Sequence, residues 1–348
     1  MAERVTIQHI ADALGLSRNT VSKALNNHPQ IPDATREKIV QKAAELKYKN
    51  FSSMNMGNIA LLTRGDINAI SFYSETIKGM ETGLSAQGLN LILMLVKPDD
   101  IHSNALPPNI NPLNIDGIVC MEIFRQSYVE TILGAGIPTV FIDFLPGTVF
   151  DGHKYDIIMV ENEYSAYTLT KSLIDEGHEN IGFIGDLRHC RSFYERWLGF
   201  ERAMRDFGRG PDPAFSITPD DTQPYLSVEW MTSRLKGLAK LPTAFICAND
   251  DIGICAIRAL KELKIQVPEQ IEITGFDDVP NANIIDPPLT TVHTYPYELG
   301  TRVVETLLNR IEQPDRHKET IYLESSIILR GSTRQTAGAA SGIPSSQA

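Results

Sequence analysis

Four cysteines in 348 residues, at positions 120, 190, 247 and 255, form no CxxC pair and have no histidine cluster beside them. That excludes a disulfide framework and argues against a thiolate metal site. Each lies in or beside an apolar run, as buried thiols in a reducing compartment would. No window approaches 18 uncharged apolar residues, so no membrane-spanning helix is expected. The opening MAERVTIQHI has no apolar leader core, which disfavours secretion and makes the expected location cytoplasmic. There is no P-loop and no GxSxG elbow, and GFIGD (182–186) is not GxGxxG. No nucleotide, cofactor or metal is therefore expected, and the chain does not read as an enzyme.

Positive charge is also scarce, except at one end. Residues 1–50 hold eight Lys/Arg against five Asp/Glu, whereas the rest holds 24 against 38. A small basic head on an acidic body suggests that only the head meets a polyanion. The head reads as three short helices. Thr6 can cap a helix over Ile7–Leu14, which Gly15 stops, and Ser17 can cap a second from about Arg18 to Asn26. After the loop NNHPQIPD, Asp33 favours the start of a third, ending around Tyr48, with Ile39, Ala43 and Leu46 inward. Helix, tight turn, helix is the pattern of a helix-turn-helix. In LSRNTVSKALN (16–26), Val21, Ala24 and Leu25 share the face that can pack on Ile10, Ala11 and Leu14. Arg18, Asn19, Ser22, Lys23 and Asn26 are left outward as one patch. Arg and Lys donate to guanine, Asn pairs with adenine, and hydroxyls and amides hold phosphates.

KNFSSMNMGN (49–58) breaks the helical pattern and reads as a linker. Beyond it IALLT (59–63), NLILMLV (90–96), GIVCM (117–121) and PTVFID (138–143) look like parallel strands buried on both faces. A second set follows: YDIIMVE, IGFIGD, TAFICAND and IEITGFDD, separated by helices around 163–176, 191–207, 225–238 and 251–263. A last helix (297–312) and the strands of TIYLESSIILRGST close the pattern. Strand–helix alternation of this length is doubly wound α/β architecture in two sheets. The small, polar tail 335–348 is expected to be disordered.

Residues 6–48, from TIQHIADALGLSRNTVSKALNN to TREKIVQKAAELKY, resemble the DNA-binding head of the lactose/galactose-repressor (LacI/GalR) family. YERWLGFERAM, PTAFICANDDIGICAIRALKEL, VPEQIEITGFDD and DPPLTTVHTYPYELG resemble its periplasmic-binding-protein-like (type I) effector domain. The resemblance covers residue 5 to about 334. It implies a helix-turn-helix head (1–47), a linker (48–58) and a two-lobed α/β effector-binding and dimerisation domain (59–334). Lobe 1 is about 59–160 plus 294–321, and lobe 2 about 161–293 plus 322–334. It also implies base contacts by Arg18, Asn19 and Lys23, and phosphate contacts by Thr6, Ser17, Thr20, Ser22, Asn26 and Thr35. Thr20 and Thr35 can equally be structural helix residues. One such head reads half a site, so a homodimer on a near-palindromic duplex operator is implied. The family's hinge-helix motif is missing after Tyr48. Met54 or Met56 can act as the minor-groove wedge, or the segment is a plain tether.

In open α/β domains ligands bind beyond the carboxyl ends of the strands. Phe72 and Tyr73 open the helix after the first strand, Asp143 ends TVFID, Asn249 and Asp250 end TAFICAND, and Asp277 ends ITGFD. Arg196 and Trp197 follow IGFIGD. Acids, an amide, a guanidinium and an aromatic plane suit a polyol, so the expected effector is a sugar or sugar phosphate. Alignment with the family favours Arg196, Asn249 and Asp277, then Phe72, Tyr73 and Asp143. Trp197 either covers the ligand or packs in the core. Asp250 and Asp278 are expected to brace the backbone, and Glu161 and Asn162 stand at the lobe crossover. Together these give an effector-controlled transcriptional regulator, most readily a repressor. The rivals are a solute-binding receptor without a DNA role and, last, a sugar-processing enzyme.

Overall fold

The structure, a computed structural model, describes residues 5–25, 31–46, 48, 57–64, 73–112, 114–220 and 222–334. In the head, α1 (Ile7–Leu14), α2 (Arg18–Leu25) and α3 (Asp33–Glu45) pack together. Thr6 precedes α1 in extended backbone (φ −123°, ψ 166°), and its N–H donates to His9 Nδ1 at 3.4 Å. Gly15 ends α1 at φ 64°, ψ 31°, a left-handed position that costs glycine least. Two residues later Ser17 Oγ accepts the Thr20 N–H at 3.0 Å, so α2 starts at a hydrogen-bonded cap. This close stop and start forces the two helices to turn. Ile10, Ala11, Val21, Ala24, Leu25, Ile39 and Ala43 fill the shared core, with Leu14 and Leu46 at its margin. Tyr48, assigned above to the linker, is buried in this core, and its N–H donates to Ala43 O at 3.0 Å. The third helix itself stops at Glu45 rather than near Tyr48.

The body runs β1 (Asn58–Arg64), α4 (Ser74–Ser85), β2 (Asn90–Val96), α5 (Pro98–Ser103), β3 (Gly117–Met121), α6 (Gln126–Gly134), β4 (Thr139–Ile142) and β5 (Tyr155–Val160). It continues α7 (Glu163–Asp175), β6 (Ile181–Ile184), α8 (Arg191–Asp206), α9 (Val228–Gly237), β7 (Ala244–Cys247), α10 (Asp250–Glu262), β8 (Glu272–Thr274) and α11 (Pro280–Ile284). Last come β9 (Thr291–His293), α12 (Pro296–Glu312), β10 (Thr320–Leu323) and β11 (Ser326–Ile328). One parallel sheet has the order β10-β5-β4-β3-β1-β2, and a second, also parallel, has β6-β7-β8. An antiparallel pair, β9 with β11, lies against the second lobe's core through Val292 and Ile327. YDIIMVE, grouped above with the second set, therefore completes the first sheet. That sheet also keeps β10 through Leu323, two residues past the expected boundary.

β2 departs from the expectation of two buried faces. It is an edge strand, and Leu93 and Leu95 are 44% and 45% exposed. On the sheet's other edge a buried ion cluster fixes the return from α12. Asp156 on β5 accepts from Arg310 Nε and Nη2 (2.9 and 2.6 Å), Arg316 Nη2 (2.7 Å) and the Glu319 N–H (2.8 Å). Every lone pair of this buried carboxylate faces a donor, which is what makes its burial tolerable. Helices α4 and α12 approach so closely that a Cβ on Gly300 would lie 2.1 Å from Thr76 O. The chain passes between lobes after β5, after β9 and after β10, so any change in the lobes' separation would bend those three connections together.

Candidate nucleic-acid interface and effector cleft

The core side of α2 leaves Arg18 and Asn19 exposed and Ser22 and Lys23 half-buried on the opposite side. Thr6 and Ser17 are exposed at the starts of α1 and α2, and Thr20 and Thr35 are half-buried. The Ser17 and Thr20 hydroxyls are hydrogen-bonded to each other at 2.8 Å. This is a short polar helix face with Arg18 and Asn19 at the helix start, the kind of face by which recognition helices enter a major groove. Asn26, Met54 and Met56 lie outside the described residues.

The body carries a cavity of about 220 Å³ between the two lobes. Because both sheets are parallel, their carboxyl ends deliver side chains to one edge. Glu122 follows β3 and Asp143 follows β4 from the first lobe, while Asn249 follows β7 and Asp277 follows β8 from the second. Glu122, Asp143 and Asp277 have φ of 57°, 62° and 108°. Non-glycine residues hold such backbone only where their surroundings enforce it, and it turns each carboxylate off its strand line into the cleft. Tyr73 joins from the start of α4, its hydroxyl donating to Glu122 Oε1 at 3.2 Å.

Arg196 on α8 is the fixed cation of the cavity, buried and bonded on three sides. Nε donates to Asn162 Oδ1 (3.0 Å), Nη1 to Ala248 O (2.6 Å) and Nη2 to Asp277 Oδ1 (3.0 Å). Its guanidinium carbon lies 3.6 Å from the Phe276 ring centroid. Burial pushes the Asp277 carboxyl up to about 6, against the pull of Arg196 and with Asp251 and Asp143 adding to the rise. Burial likewise raises Glu122, which Asp143 also pushes up while His189, Arg64 and the Tyr73 hydroxyl hold it down. Asp251 is raised by burial alone. The site is thus acidic and largely buried, with carboxylate oxygens placed to accept hydrogen bonds.

Residues 6–50 match the bacterial regulatory proteins of the lacI family, and residues 170–333 match the periplasmic binding protein-like domain. The ribose operon repressor of Haemophilus influenzae is 28% identical, the match covering 94% of this chain and 98% of that protein. The repressor PurR of Vibrio parahaemolyticus is 27% identical, over 95% of this chain and 99% of its own. The head thus carries the LacI-family match, and over nearly its whole length the chain is similar to repressors. A solved complex of the transcriptional regulator CelR with cellobiose is similar to it at a TM-score of 0.71 and 25% identity, covering 94% of this chain and all (100%) of the other.

Of the cleft residues that the LacI-family resemblance implies, Tyr73, Asp143, Arg196, Asn249 and Asp277 line one cavity. Phe72 lies outside the described residues. Trp197 does not line the cavity. Its ring packs at 5.4 Å on Phe183 and 5.3 Å on Phe200 in the second lobe's core, because the residue after Arg196 on a helix points about 100° away. Asp250 braces: its two oxygens accept from the Val279 N–H at 2.9 Å and the Thr291 hydroxyl at 2.5 Å. Asp278 holds Arg330 Nη2 at 2.6 Å and His293 Nδ1 at 2.8 Å. Asn162, noted only for its place at the crossover, is buried and orients Arg196. Glu161 accepts the Tyr164 and Ser165 N–H groups at 2.6 and 2.9 Å, capping α7. Sequence reasoning missed Glu122, His189, Phe193 and Asp251, all of which line the cavity. Glu122 was findable, since it ends GIVCM as Asp143 ends TVFI. His189 and Phe193 carry no such signal, as they sit in and after an irregular loop.

Proposed function

We propose that this chain is a homodimeric LacI-family transcriptional repressor that reads a near-palindromic operator and whose affinity is set by a carbohydrate held between its lobes. Arg18, Asn19 and Lys23 are the base readers, with Thr6, Ser17, Thr20, Ser22, Asn26 and Thr35 on phosphates. Tyr73, Asp143, Arg196, Asn249 and Asp277 hold the effector, joined by Glu122 and Asp251. Met54 or Met56 remain the candidates for a minor-groove wedge from the linker. The observation that carries the reading is that one chain holds both a polar recognition-type helix on its basic end and an acidic cavity shared by two lobes. The ribose operon repressor and the cellobiose-bound regulator among its relatives support a carbohydrate as the effector class.

The structure supplies an arrangement for coupling the two. A ligand that touches Glu122 and Asp143 on one lobe and Arg196 and Asp277 on the other favours one lobe separation over another. The lobes set the spacing of the two heads, and coupling of this kind is typically worth about 1–3 kcal/mol. A gel-shift titration over ionic strength tests the DNA side. Log affinity must fall linearly and steeply with log salt as phosphate counterions are released. Arg18→Ala must in addition cost about 1–3 kcal/mol at a single operator position. A salt-insensitive chain, or an Arg18→Ala loss spread evenly over all sequences, rejects the assignment of Arg18 as a base reader.

A further inference from the structure

The cleft's charge balance carries the effector class one step further, on the reading that a carbohydrate binds there. We infer that the effector is an uncharged polyol and that this cleft refuses phosphorylated or carboxylated sugars, because among the described residues four carboxylates line it and three of the five N–H groups of its guanidinium are already bonded to the protein.

The cavity is lined by Glu122, Asp143, Asp251 and Asp277, against Arg196 and His189. Arg196 is a largely committed cation, with three of its five N–H groups already bonded to the protein. Three of its nitrogens donate to Asn162, Ala248 and Asp277, one face covers Phe276, and Asp277 offsets its charge. His189 stands between the rings of Phe124 (5.2 Å) and Phe193 (5.1 Å) and acts on Glu122. Arg64, at the end of β1, also acts on Glu122 but is exposed and does not line the cavity. Residues 65–72 contain no Lys, Arg or His, so that stretch of sequence supplies no further cation. Even with His189 protonated, acids outnumber bases two to one.

The usual alternative seat for a phosphate is a helix N-terminus, where free N–H groups and the helix dipole favour an anion. Around this cleft the chain fills those seats itself. At α8, Asp143 Oδ1 accepts the Ser192 N–H at 3.2 Å. At α10, Asn249 Oδ1 accepts the Ile252 N–H at 3.0 Å, and Asp250 and Asp251 occupy the first turn. At α7, Glu161 takes two N–H groups. The first turn of α4 has no side-chain cap, but it carries Glu75 and its preceding Tyr73 is bonded to Glu122. What faces a ligand is a set of acceptors, the rings of Phe124 and Phe193 and a few neutral donors (the Asn249 amide and the Ser192 and Thr294 hydroxyls), which match hydroxyls and the apolar face of a sugar ring. A phosphate among these carboxylates would gain few donors and meet like charge at short range.

The test uses the purified full chain and matched pairs: ribose with ribose 5-phosphate, glucose with glucose 6-phosphate, and cellobiose with its 6-phosphate. Binding is read by calorimetry and by Tm. For the pair that binds, the phosphorylated member is expected to be roughly 100-fold weaker or worse, as short-range like-charge repulsion of this kind implies. Glu122→Gln with Asp251→Asn should narrow that gap. A phosphorylated member that binds as tightly as its parent overturns the inference. If neither member of any pair binds, the carbohydrate reading fails, and a second arm still decides the charge claim. At constant ionic strength, replacing chloride by sulfate must stabilise the Glu122→Gln, Asp251→Asn variant more than the wild type, since the basic head is common to both. An equal response to sulfate overturns it.

Discussion

A single carboxylate shows how burial sets the chemistry of the cleft. Asp277 is held at about 6 by burial, with Arg196 opposing and Asp251 and Asp143 reinforcing. In the unliganded chain this group lowers stability as pH rises from its unfolded value toward 6, because the folded state favours the protonated form. On the proposed reading, effector hydroxyls would donate to the ionised carboxylate and reverse that preference, so binding would release a proton. Effector affinity is expected to be flat above about pH 7 and to fall as the solution is acidified through pH 6. In Asp277→Asn most of that step should vanish, together with much of the affinity, because Arg196 loses its anionic partner. Calorimetry at pH 5, 6, 7 and 8 reads both. An unchanged step in the variant would assign the titration to Glu122 or Asp251 instead.

Helix α8 is the element through which the cleft reaches the opposite lobe. Arg196 points to the cavity, while Arg191 and Glu195, earlier on the same helix, meet Tyr322 on β10. The Tyr322 hydroxyl accepts from Arg191 Nη2 and donates to Glu195 Oε1, both at 2.6 Å, and Arg191 Nε donates to the same oxygen at 2.7 Å. Glu195 Oε2 accepts from Asn162 Nδ2 at 3.1 Å, and Asn162 orients Arg196. One continuous set of hydrogen bonds thus links a first-lobe strand to the second-lobe side of the cleft. Tyr322→Phe removes the bridging hydroxyl and keeps the ring. It should lower stability by about 1 kcal/mol or less, given the half-exposed position. Effector affinity should change little, while the fold-change in operator affinity produced by effector should shrink. Undiminished coupling in this variant would show that the lobes communicate by another route.

At the scale of the whole molecule, the apolar edge of β2 is the surface at which the proposed homodimer is tested. Leu91, Leu93 and Leu95 share one face of β2, and only the first is packed against the first lobe's core. An unpaired strand edge with apolar side chains is a surface that stable monomers avoid. We expect Leu93→Asp with Leu95→Asp to reduce the assembled mass to that of one chain in light scattering. The same variant should lose the advantage of a two-half-site operator over a single half-site, with the isolated head fold intact. A variant that stays dimeric places the interface elsewhere.

The local grammar of this chain was readable residue by residue. α1 and β1 to β5 fall where Ile7–Leu14 and the apolar runs put them, since period, caps and Gly15 act over a few residues. The polarity of α2 was equally legible, because three buried residues at helical spacing leave only one other side. Tertiary structure alone decided that β10 returns beside β5, since Asp156 and Arg310 meet across 154 positions of sequence. It decided too that Trp197 joins a core while its neighbour Arg196 enters a cleft. Above all, it brought Glu122, Asp143, His189, Asp251 and Asp277 around one cavity. Their convergence depends on parallel strand ends from two sheets and on left-handed backbone at three acids, and no stretch of sequence holds that information locally.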